Sequence, residues 1–350
     1  MYKKKLVSIF QLLALIISIF TTSVTPLVVH AQENSSFKNS GSVYDDLAGN
    51  YGILGISSQF HIFAKGTTRL YAHTDGNIAT NDFEGGANFG TNIHEGLVSK
   101  EIDYLKNIQS ISSSSVVQDS NTRSTKFVVG SGTNLSLVDN GNAVAINGTK
   151  MDHLKSSEIY QDSTSNNYID FDSEFTKLEN ASTQLFGMSA TQTITNSSFN
   201  DINNRVIDIS NTSGPVSINI DESVLEQNTP LTINNHNNVV IVMNVVNGGS
   251  NQNIASPIKY NQRSNHETED FSDANISWNF GNHVSILNIN SPFQGTVLAP
   301  NATINVYQNL DGSIIGTNVN INAESHRWDP NPINIVKEET GSVILTKTDS

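Results

Sequence analysis

The feature that most constrains this chain is a series of short runs in which aliphatic residues alternate with Asn, Ser or Thr, as in residues 216–220 and 319–322. Successive side chains of a β-strand point to opposite sides, so each run has one aliphatic face and one face of amides or hydroxyls. The runs lie about ten residues apart and are separated by Asn-Gly, Asp-Gly and Gly-Ser pairs, which favour tight turns. The pattern predicts a mainly β fold.

Two β architectures are compatible with such runs, a two-sheet sandwich and a solenoid of stacked rungs. Asn occurs 46 times, about one residue in eight, and amides stacked in register can hydrogen-bond from one rung to the next. Aromatic residues make up only 7% of the chain, which leaves few large rings to fill the space between two sheets. The aliphatic stripe recurs through residues 206–321 with little amphipathic helix between the runs. The sequence therefore favours a β-solenoid.

Two segments have helical rather than strand periodicity. In residues 171–186, apolar side chains recur at steps of three and four, with Asp172 available as the N-cap and Gly187 as the stop. Residues 97–108 show a weaker stripe of the same kind, and we predict a second helix there. An apolar stripe must be covered, so we expect the helix at residues 171–186 to pack along one flank of the β stack.

Composition excludes several classes of function. The chain has 19 Lys and Arg against 33 Asp and Glu, a net charge of −14, which disfavours binding to nucleic acid or to an anionic membrane surface. It contains no Cys. Disulfide frameworks, Cys-based zinc sites and thiol catalysis are therefore excluded.

The first residues have the layout of a secretory signal peptide, which we assign to residues 1–31. A basic head at residues 3–5 precedes an apolar run at residues 6–20, and a cut is expected after Ala31. The alternative is a retained membrane anchor, but the run is short for a bilayer span of roughly 20 residues. Residues 32–42 are rich in Ser and Asn and are predicted to be a flexible leader. We expect export, and no membrane insertion once the signal is removed.

Several blocks resemble the choice-of-anchor A domain of Gram-positive surface proteins. They are residues 51–63, 75–79, 168–172, 278–280, 295–302 and 311–316. The block at residues 295–302, which reads Gly-Thr-Val-Leu-Ala-Pro-Asn-Ala, is the most specific of them. The resemblance extends over most of a domain that we place at residues 43–332. That family is similar to ice-binding-like adhesive domains, so the resemblance implies a right-handed β-helix with one long α-helix packed alongside.

The end of the chain resembles a different domain. Residues 341–349 are similar to the first strand of a Cna-B or SpaA-type stalk domain, so residues 333–350 are assigned as a linker and the start of such a domain. In these stalks a Lys at the position of Lys347 forms an isopeptide bond with an Asn, which here would lie beyond Ser350. The resemblance implies a secreted protein attached to the Gram-positive cell wall through a C-terminal region that follows. The strand that begins at Gly341 has no partner strand after it in the printed sequence, so we expect it either to dock on the preceding domain or to belong to a longer chain.

No residue pattern predicts a catalytic, cofactor-binding or metal-binding site. The His residues have no zinc-helix spacing; we expect His61 to be a packed strand residue and His326 to cap the last coil. The alternating acids Asp170, Asp172 and Glu174 invite a calcium or acid-base interpretation, but capping at a helix N-terminus already accounts for them.

A polysaccharide-active β-helix would need a cluster of carboxylates along one groove. Asp208, Asp221 and Asp311 lie on or beside predicted strands, but the sequence does not align them into a groove. Arg205, Arg263 and Arg327 are scattered along the sequence. Ice binding would need regularly spaced Thr, and the Thr-rich residues 191–195 have no repeat elsewhere.

The function expected from these observations is that of a non-catalytic adhesin head. Rows of Asn, Ser and Thr side chains on a rigid ladder can hydrogen-bond an extracellular glycan, or a matrix or surface protein. The alternatives are a polysaccharide-active β-helix enzyme and a purely structural spacer. Turnover of polysaccharides would distinguish the enzyme, and binding without turnover would distinguish the adhesin from the spacer.

Overall fold

The computed structural model describes residues 37–91, 99–117, 123–264, 274–337 and 343–346. The predicted signal peptide and residues 32–36 of the predicted leader lie outside these ranges. The rest of the predicted leader is part of the fold, because residues 38 and 39 pair with residues 160 and 161 and the side chain of Ser40 is buried. Any free leader therefore ends earlier than predicted.

The strands before the main helix range from 2 to 11 residues in length. They are β1 (Lys38–Asn39), β2 (Ile62–Leu70), β3 (Thr74–Asp75), β4 (Ile78–Gly85), β5 (Lys100–Ser110), β6 (Ser124–Val129), β7 (Leu135–Val138), β8 (Ala143–Ile146), β9 (Thr149–Lys155) and β10 (Ile159–Gln161). The helices are α1 (Val43–Asp46), α2 (Phe171–Phe186) and α3 (Glu222–Leu225), with 3₁₀ turns at Gly52–Gln59, Asp139–Gly141 and Asn196–Ser198.

The strands after α2 follow one another more closely. They are β11 (Gln192–Ile194), β12 (Arg205–Asp208), β13 (Val216–Asp221), β14 (Leu231–Asn234), β15 (Ile241–Val246), β16 (Asn251–Ile254), β17 (Ile258–Tyr260), β18 (Ile276–Asn279), β19 (Ile286–Ile289), β20 (Phe293–Gln294), β21 (Thr296–Val306), β22 (Leu310–Asp311), β23 (Ile314–Ile321), β24 (Ser325–His326), β25 (Asn334–Lys337) and β26 (Val343–Thr346).

The largest sheet is parallel and its strands do not follow chain order. The order is β1-β10-β6-β5-β4-β2-β23-β21-β18-β15-β13-β11, with β16 and β19 joined beside β21. After β1 at one end, the chain moves to the middle at β2 and passes through β4, β5, β6 and β10 back to that end. It resumes at β11 at the other end. It then returns through β13, β15, β18 and β21 to β23, which pairs with β2. The first and last coils of a solenoid thus meet at an internal seam.

Smaller sheets complete the coils. Two of them are parallel, with the orders β12-β14-β17 and β20-β22-β24-β3. Successive coils therefore also stack through these smaller sheets. Aliphatic residues that alternate along the strands fill the inside of the coils, among them Ile62, Ile78, Ile304, Ile314 and Val319, all fully buried. Burial of this aliphatic stripe is the main stabilising term. The fold is mainly β, with large parallel sheets, as predicted.

Helix α2 lies against the large sheet. Its buried face includes Phe171, Phe175, Leu178 and Leu185, and it contacts β2, β15, β18 and β21. A helix of 16 residues is about 24 Å long, which corresponds to about five rungs at about 4.8 Å each. The ring of Phe175 stacks on that of Phe63 with centroids 5.7 Å apart.

The N-cap of α2 differs from the prediction. Asp170, not Asp172, is the capping residue, and its Oδ1 accepts a hydrogen bond of 3.1 Å from the backbone N–H of Ser173. Asp172 lies in the first turn, where it forms a 3.1 Å ion pair with Lys65. The two acids are equivalent by residue type, and only the direction of the entering chain distinguishes them.

The helix predicted at residues 97–108 is wrong, because β5 occupies Lys100–Ser110 and pairs with β4 on one side and β6 on the other. Ile102 and Tyr104 face the side covered by α2, whereas Leu105 and Ile108 point into the coil. A strand buried on both faces has no polar alternation, so its apolar residues also match a helical stripe. Within the described residues, no helix is long and apolar enough to cross a membrane.

The last predicted strand pairs with the segment that precedes it. β26 pairs antiparallel with β25, with Val343 opposite Lys337 and Thr346 opposite Asn334. Residues 334–337, at the start of the predicted linker, therefore form a strand. Lys347 lies outside the described residues.

Candidate functional site

The outward side chains of β16, β19, β2, β4 and the second halves of β21 and β23 form one open polar surface, which we call the ladder face. Its side chains lie in three columns that run from rung to rung. The first column is Asn251, Ile286, Thr303, Asn318, Thr67 and Asp82, and the second is Asn253, Asn288, Asn305, Asn320, Arg69 and Glu84. The third, set by backbone hydrogen bonds just past the strand ends, is Asn290, Tyr307, Asn322 and Tyr71.

Alternation along each strand places these side chains outside. Ile304, Val306, Val319 and Ile321 lie between the column residues of β21 and β23, and all four are fully buried inside the coil. Leu70 is buried in the same way between Arg69 of the second column and Tyr71 of the third. The aliphatic core therefore fixes the direction of every polar side chain on the ladder face.

The second column is an amide ladder. Each Asn donates through Nδ2 to Oδ1 of the preceding Asn: Asn288 to Asn253 at 2.9 Å, Asn305 to Asn288 at 2.8 Å and Asn320 to Asn305 at 2.8 Å. These bonds confirm the stacked amides predicted from the Asn content.

The amide ladder ends at the seam between the two halves of the solenoid. Arg69 follows Asn320 in the column, but its Nε donates to Glu84 at 2.9 Å. The buried Oδ1 of Asn320 has no partner in the described part of the chain. The polar row thus changes at the seam from neutral amides to a charged pair.

Two tyrosines mark one edge of the ladder face. Tyr71 is 64% exposed and Tyr307 is 46% exposed, and Asn322 lies on the rung between them. Within the described residues, neither hydroxyl has a hydrogen-bond partner. Exposed aromatic rings with a free polar end are typical of binding surfaces, because they offer contact area at a low cost in side-chain entropy.

A second amide ladder lies on β15 and β18 and is buried under α2. The Asn279 amide donates to Oδ1 of Asn244 at 2.9 Å and to the carbonyl of Ser182 at 3.0 Å, and its Oδ1 accepts from the Ser182 hydroxyl at 2.7 Å. Asn244 in turn donates to the carbonyl of Leu185 at 2.8 Å. This ladder anchors the helix, so the ladder face is the amide surface that a ligand could reach.

The carboxylate of Asp311 is the centre of a buried ion cluster. It lies 2.8 Å from the guanidinium of Arg263 and 2.8 Å from Nδ1 of His326. Burial of His326 opposes its charged form, but the hydrogen bond and the charge of Asp311 outweigh this and raise the pKa of His326. His326 is therefore an ion-pair partner inside the coil, not the cap that the sequence predicted.

Arg327 forms a second buried pair close by. Its guanidinium contacts both carboxylate oxygens of Asp329, at 2.8 and 2.7 Å, and lies 3.5 Å from Glu101. Arg263 and Arg327 thus have different partners, Asp311 for the first and Asp329 for the second. Arg205 is buried apart from them, and its guanidinium donates to the carbonyl of Val224 at 2.6 Å.

The remaining candidates have structural partners. Burial lowers the pKa of His61 to about 3, and its ring nitrogens lie 2.7 Å from the Gly312 carbonyl and 2.9 Å from the Ser325 hydroxyl. This confirms a packed residue. Asp208 accepts from the backbone of Ser210, and Asp221 caps α3.

Glu174 accepts from Lys177 at 2.7 Å and also from Tyr44. Asp208, Asp221 and Asp311 therefore each have local partners, and no common groove is built from them in the part that the structure describes. In the same ranges, no group of three or more His, Asp or Glu side chains is arranged to hold a metal ion. The arrangement supports recognition through hydrogen bonds and aromatic contacts more than proton transfer.

The coiled parallel sheets, the flanking helix and the open polar face define a β-solenoid domain of the ice-binding-like kind. Residues 53–327 match the family described as "Putative Ice-binding-like adhesive domain". The chain belongs to that family.

Solved structures similar to this chain include two fungal proteins. One is an ice-binding protein of the Antarctic ascomycete Antarctomyces psychrotrophicus, 11% identical, covering 79% of this chain and 97% of the fungal chain with a TM-score of 0.33. The other is an ice-binding protein with antifreeze activity from an Arctic yeast, 12% identical, covering 81% and 95% of the two chains with a TM-score of 0.35. Comparison with curated protein sequences gave no match.

Proposed function

We propose that this protein is a non-catalytic adhesin head that binds an external glycan or protein through the ladder face. The observation that carries the proposal is the open array of polar side chains held in register by the amide ladder and bordered by Tyr71 and Tyr307. The family match supports an adhesive role at an extracellular surface.

Rigidity favours this role. The ladder amides are fixed by their neighbours and by the buried aliphatic residues between them, so little side-chain freedom is lost when a ligand binds. A weak single site is sufficient when many copies are displayed on one cell, because simultaneous contacts multiply the apparent affinity.

The burial of the ionisable groups makes the enzyme alternative less favoured. Asp311, Glu101, Asp103 and Asp329 are all buried within the coils. Burial raises the pKa of Asp103, with the nearby Glu101 adding to the effect. A polysaccharide chain held outside the sheets would not reach these carboxylates. A purely structural spacer would not need two exposed tyrosines beside a polar face.

The placement of the protein in the cell envelope belongs to the same proposal. We infer a secretory signal at residues 1–31, no membrane insertion and no nucleic-acid partner, and attachment to the Gram-positive cell wall through a C-terminal region beyond Ser350. The likeness of residues 341–349 to a Cna-B or SpaA-type strand supports this attachment, with Lys347 as its isopeptide lysine.

We also propose that the solenoid is wound right-handed, since parallel crossovers are almost always right-handed.

The absence of Cys allows one face at a time to be blocked in the full chain. Asn322→Cys places a thiol on the ladder face, and Lys259→Cys places one on the exposed side of β17, in a different sheet. Each variant is coupled to a bulky maleimide polymer and applied to glycan and matrix-protein arrays. We expect the coupled N322C protein to lose binding and the coupled K259C protein to keep it.

Two results would contradict the proposal. One is an array on which the unmodified protein binds nothing. The other is equal binding by the two coupled variants, which would place the site outside the ladder face. New reducing ends or unsaturated products from a polysaccharide would instead support the enzyme alternative.

A further inference from the structure

We propose that the ladder face binds a neutral, extended β-1,4-linked polysaccharide, laid across the rungs with every second sugar ring stacked on a tyrosine. This inference rests on the proposed function and names its ligand class. It follows from the positions of Tyr71, Asn322 and Tyr307 in the third column.

Backbone hydrogen bonds set the spacing of these residues. The N–H of Tyr71 donates to the carbonyl of Ile321 and that of Asn322 to the carbonyl of Val306, both across parallel neighbours. Tyr71, Asn322 and Tyr307 therefore lie on three consecutive rungs. The tyrosines are two rungs apart, about 10 Å.

A β-1,4-linked pyranose chain matches this spacing. Its alternate rings are turned over, so every second ring presents the same face to a surface, at a repeat close to two rungs. The C–H face of such a ring is apolar and can stack on the exposed tyrosines. The intervening ring then lies over Asn322, whose amide is exposed and can bond its hydroxyls.

The neighbouring column supplies further hydrogen-bonding groups along the same line. Asn305, Asn320 and Arg69 belong to the second column. On each rung they precede the third-column residue by two positions. Two residues along a strand correspond to about 7 Å, close enough for both columns to contact one sugar chain. Ladder bonding keeps the amides in place, and Asn305 and Asn320 are partly exposed, although Oδ1 of Asn320 is itself buried.

Charge selects among polysaccharides. The net charge of the chain is −14. Asp82 and Glu84 lie on the ladder face itself, and Arg69 pairs with Glu84. A polyanion such as a uronate polymer or a teichoic acid would be repelled. A neutral chain avoids this cost and uses the tyrosines and amides fully.

The test is retention of the full-length protein on insoluble polysaccharides. Microcrystalline cellulose and chitin beads are the β-1,4-linked probes, and starch granules are the α-linked control. We expect retention on cellulose or chitin and not on starch. Tyr71→Ala and Tyr307→Ala should each weaken the partition coefficient about tenfold, which corresponds to about 1.4 kcal/mol.

Matched variants separate ligand contact from folding. Tyr44→Ala removes a tyrosine that is 48% exposed on α1, away from the ladder face, and should leave retention unchanged. Tyr71→Phe keeps the ring and should retain most of the binding. Thermal melting of each variant verifies that the fold is intact.

Three results would overturn this inference: no retention on cellulose or chitin, equal retention on starch, or retention that Tyr71→Ala and Tyr307→Ala leave unchanged. If binding on the arrays is still lost when the N322C variant is coupled to polymer, the adhesive role of the ladder face stands and only this ligand class fails. If coupling has no effect there either, the proposed function fails as well.

Discussion

The imidazole Nδ1 of His61 lies 2.7 Å from the carbonyl oxygen of Gly312, across a sequence separation of 251 residues. The contact belongs to the seam at which β2, the first rung of the solenoid, pairs with β23. Because β2 and β23 are far apart in the chain, the two halves meet there through non-covalent contacts. The seam is therefore a place where single substitutions should have large effects.

Substituting His61 tests the seam directly. His61→Phe should lower the free energy of unfolding by about 1–3 kcal/mol, because it leaves the buried Gly312 carbonyl and the Ser325 hydroxyl without their ring partner. Urea denaturation measures the change. His153→Phe, on the exposed side of β9, is the control and should change little. Equal effects at the two positions would show that the ring contacts do not hold the seam.

Gly312 is sensitive for a steric reason. A Cβ at this position would lie 2.1 Å from the carbonyl oxygen of Gly295 on the next rung, so Gly312→Ala should destabilise the protein by about 3 kcal/mol. The control is Gly132→Ala, where a Cβ would have no heavy atom within 4 Å. Thermal unfolding of the two variants gives the comparison, and a Gly312→Ala protein as stable as the control would contradict the close rung contact.

The buried amide ladder should hold α2 in place. Asn279→Ala removes the partner of Ser182 and of the Asn244 amide oxygen inside the interface, and should cost about 3 kcal/mol because several buried polar groups lose their hydrogen bonds. Asn290→Ala, on the exposed third column, should cost less than about 0.5 kcal/mol. Hydrogen exchange of the α2 amides should also increase in Asn279→Ala alone. Unchanged exchange would mean that the helix is held by its apolar face without the ladder.

The His326–Asp311 pair predicts a dependence of stability on pH. The folded-state pKa of His326 is raised above its ordinary value of 6.5, so its contribution is fully present below pH 6.5 and is lost as the pH rises through the folded-state pKa. The charged groups that face His326 are Asp311, Asp75 and Glu324. Arg263 forms an ion pair with the same Asp311 carboxylate. Urea midpoints should therefore fall above pH 6.5 in the wild type and fall less in His326→Gln. Parallel pH profiles would refute this role.

Much of the local structure could be predicted from the sequence. Residues 216–220 alternate between aliphatic and polar side chains, and they lie in the strand β13, Val216–Asp221. The apolar stripe at residues 171–186 coincides with α2. These features depend on the period of side chains along one segment, which a single sequence displays.

The predictions failed where a segment is covered by other parts of the chain on both of its faces, or where two residues distant in sequence come into contact. β5 is covered by α2 on one side and by the coil interior on the other, so its pattern was not that of a half-exposed strand. The pair of Asp311 with Arg263 joins residues 48 apart in sequence, and neither residue type nor spacing indicates it. In the last coil the sequence did place opposite charges close together, since Asp329 follows Arg327 by two residues. Only the structure shows that both side chains are buried and form an ion pair.

The sequence by itself determined the rungs, the turns between them, the main helix and the amide content that makes ladders available, because each depends on residues close together in the chain. Only the tertiary structure decided that β2 lies beside β23, that one amide ladder is covered by α2 while the other is open, and that Tyr71 and Tyr307 share one edge. The physical reason is that every parallel strand offers the same backbone hydrogen-bonding edges. The packing of the whole chain determines which strand edges pair. The ladder face forms only when β16, β19, β21, β23, β2 and β4 pair in this order.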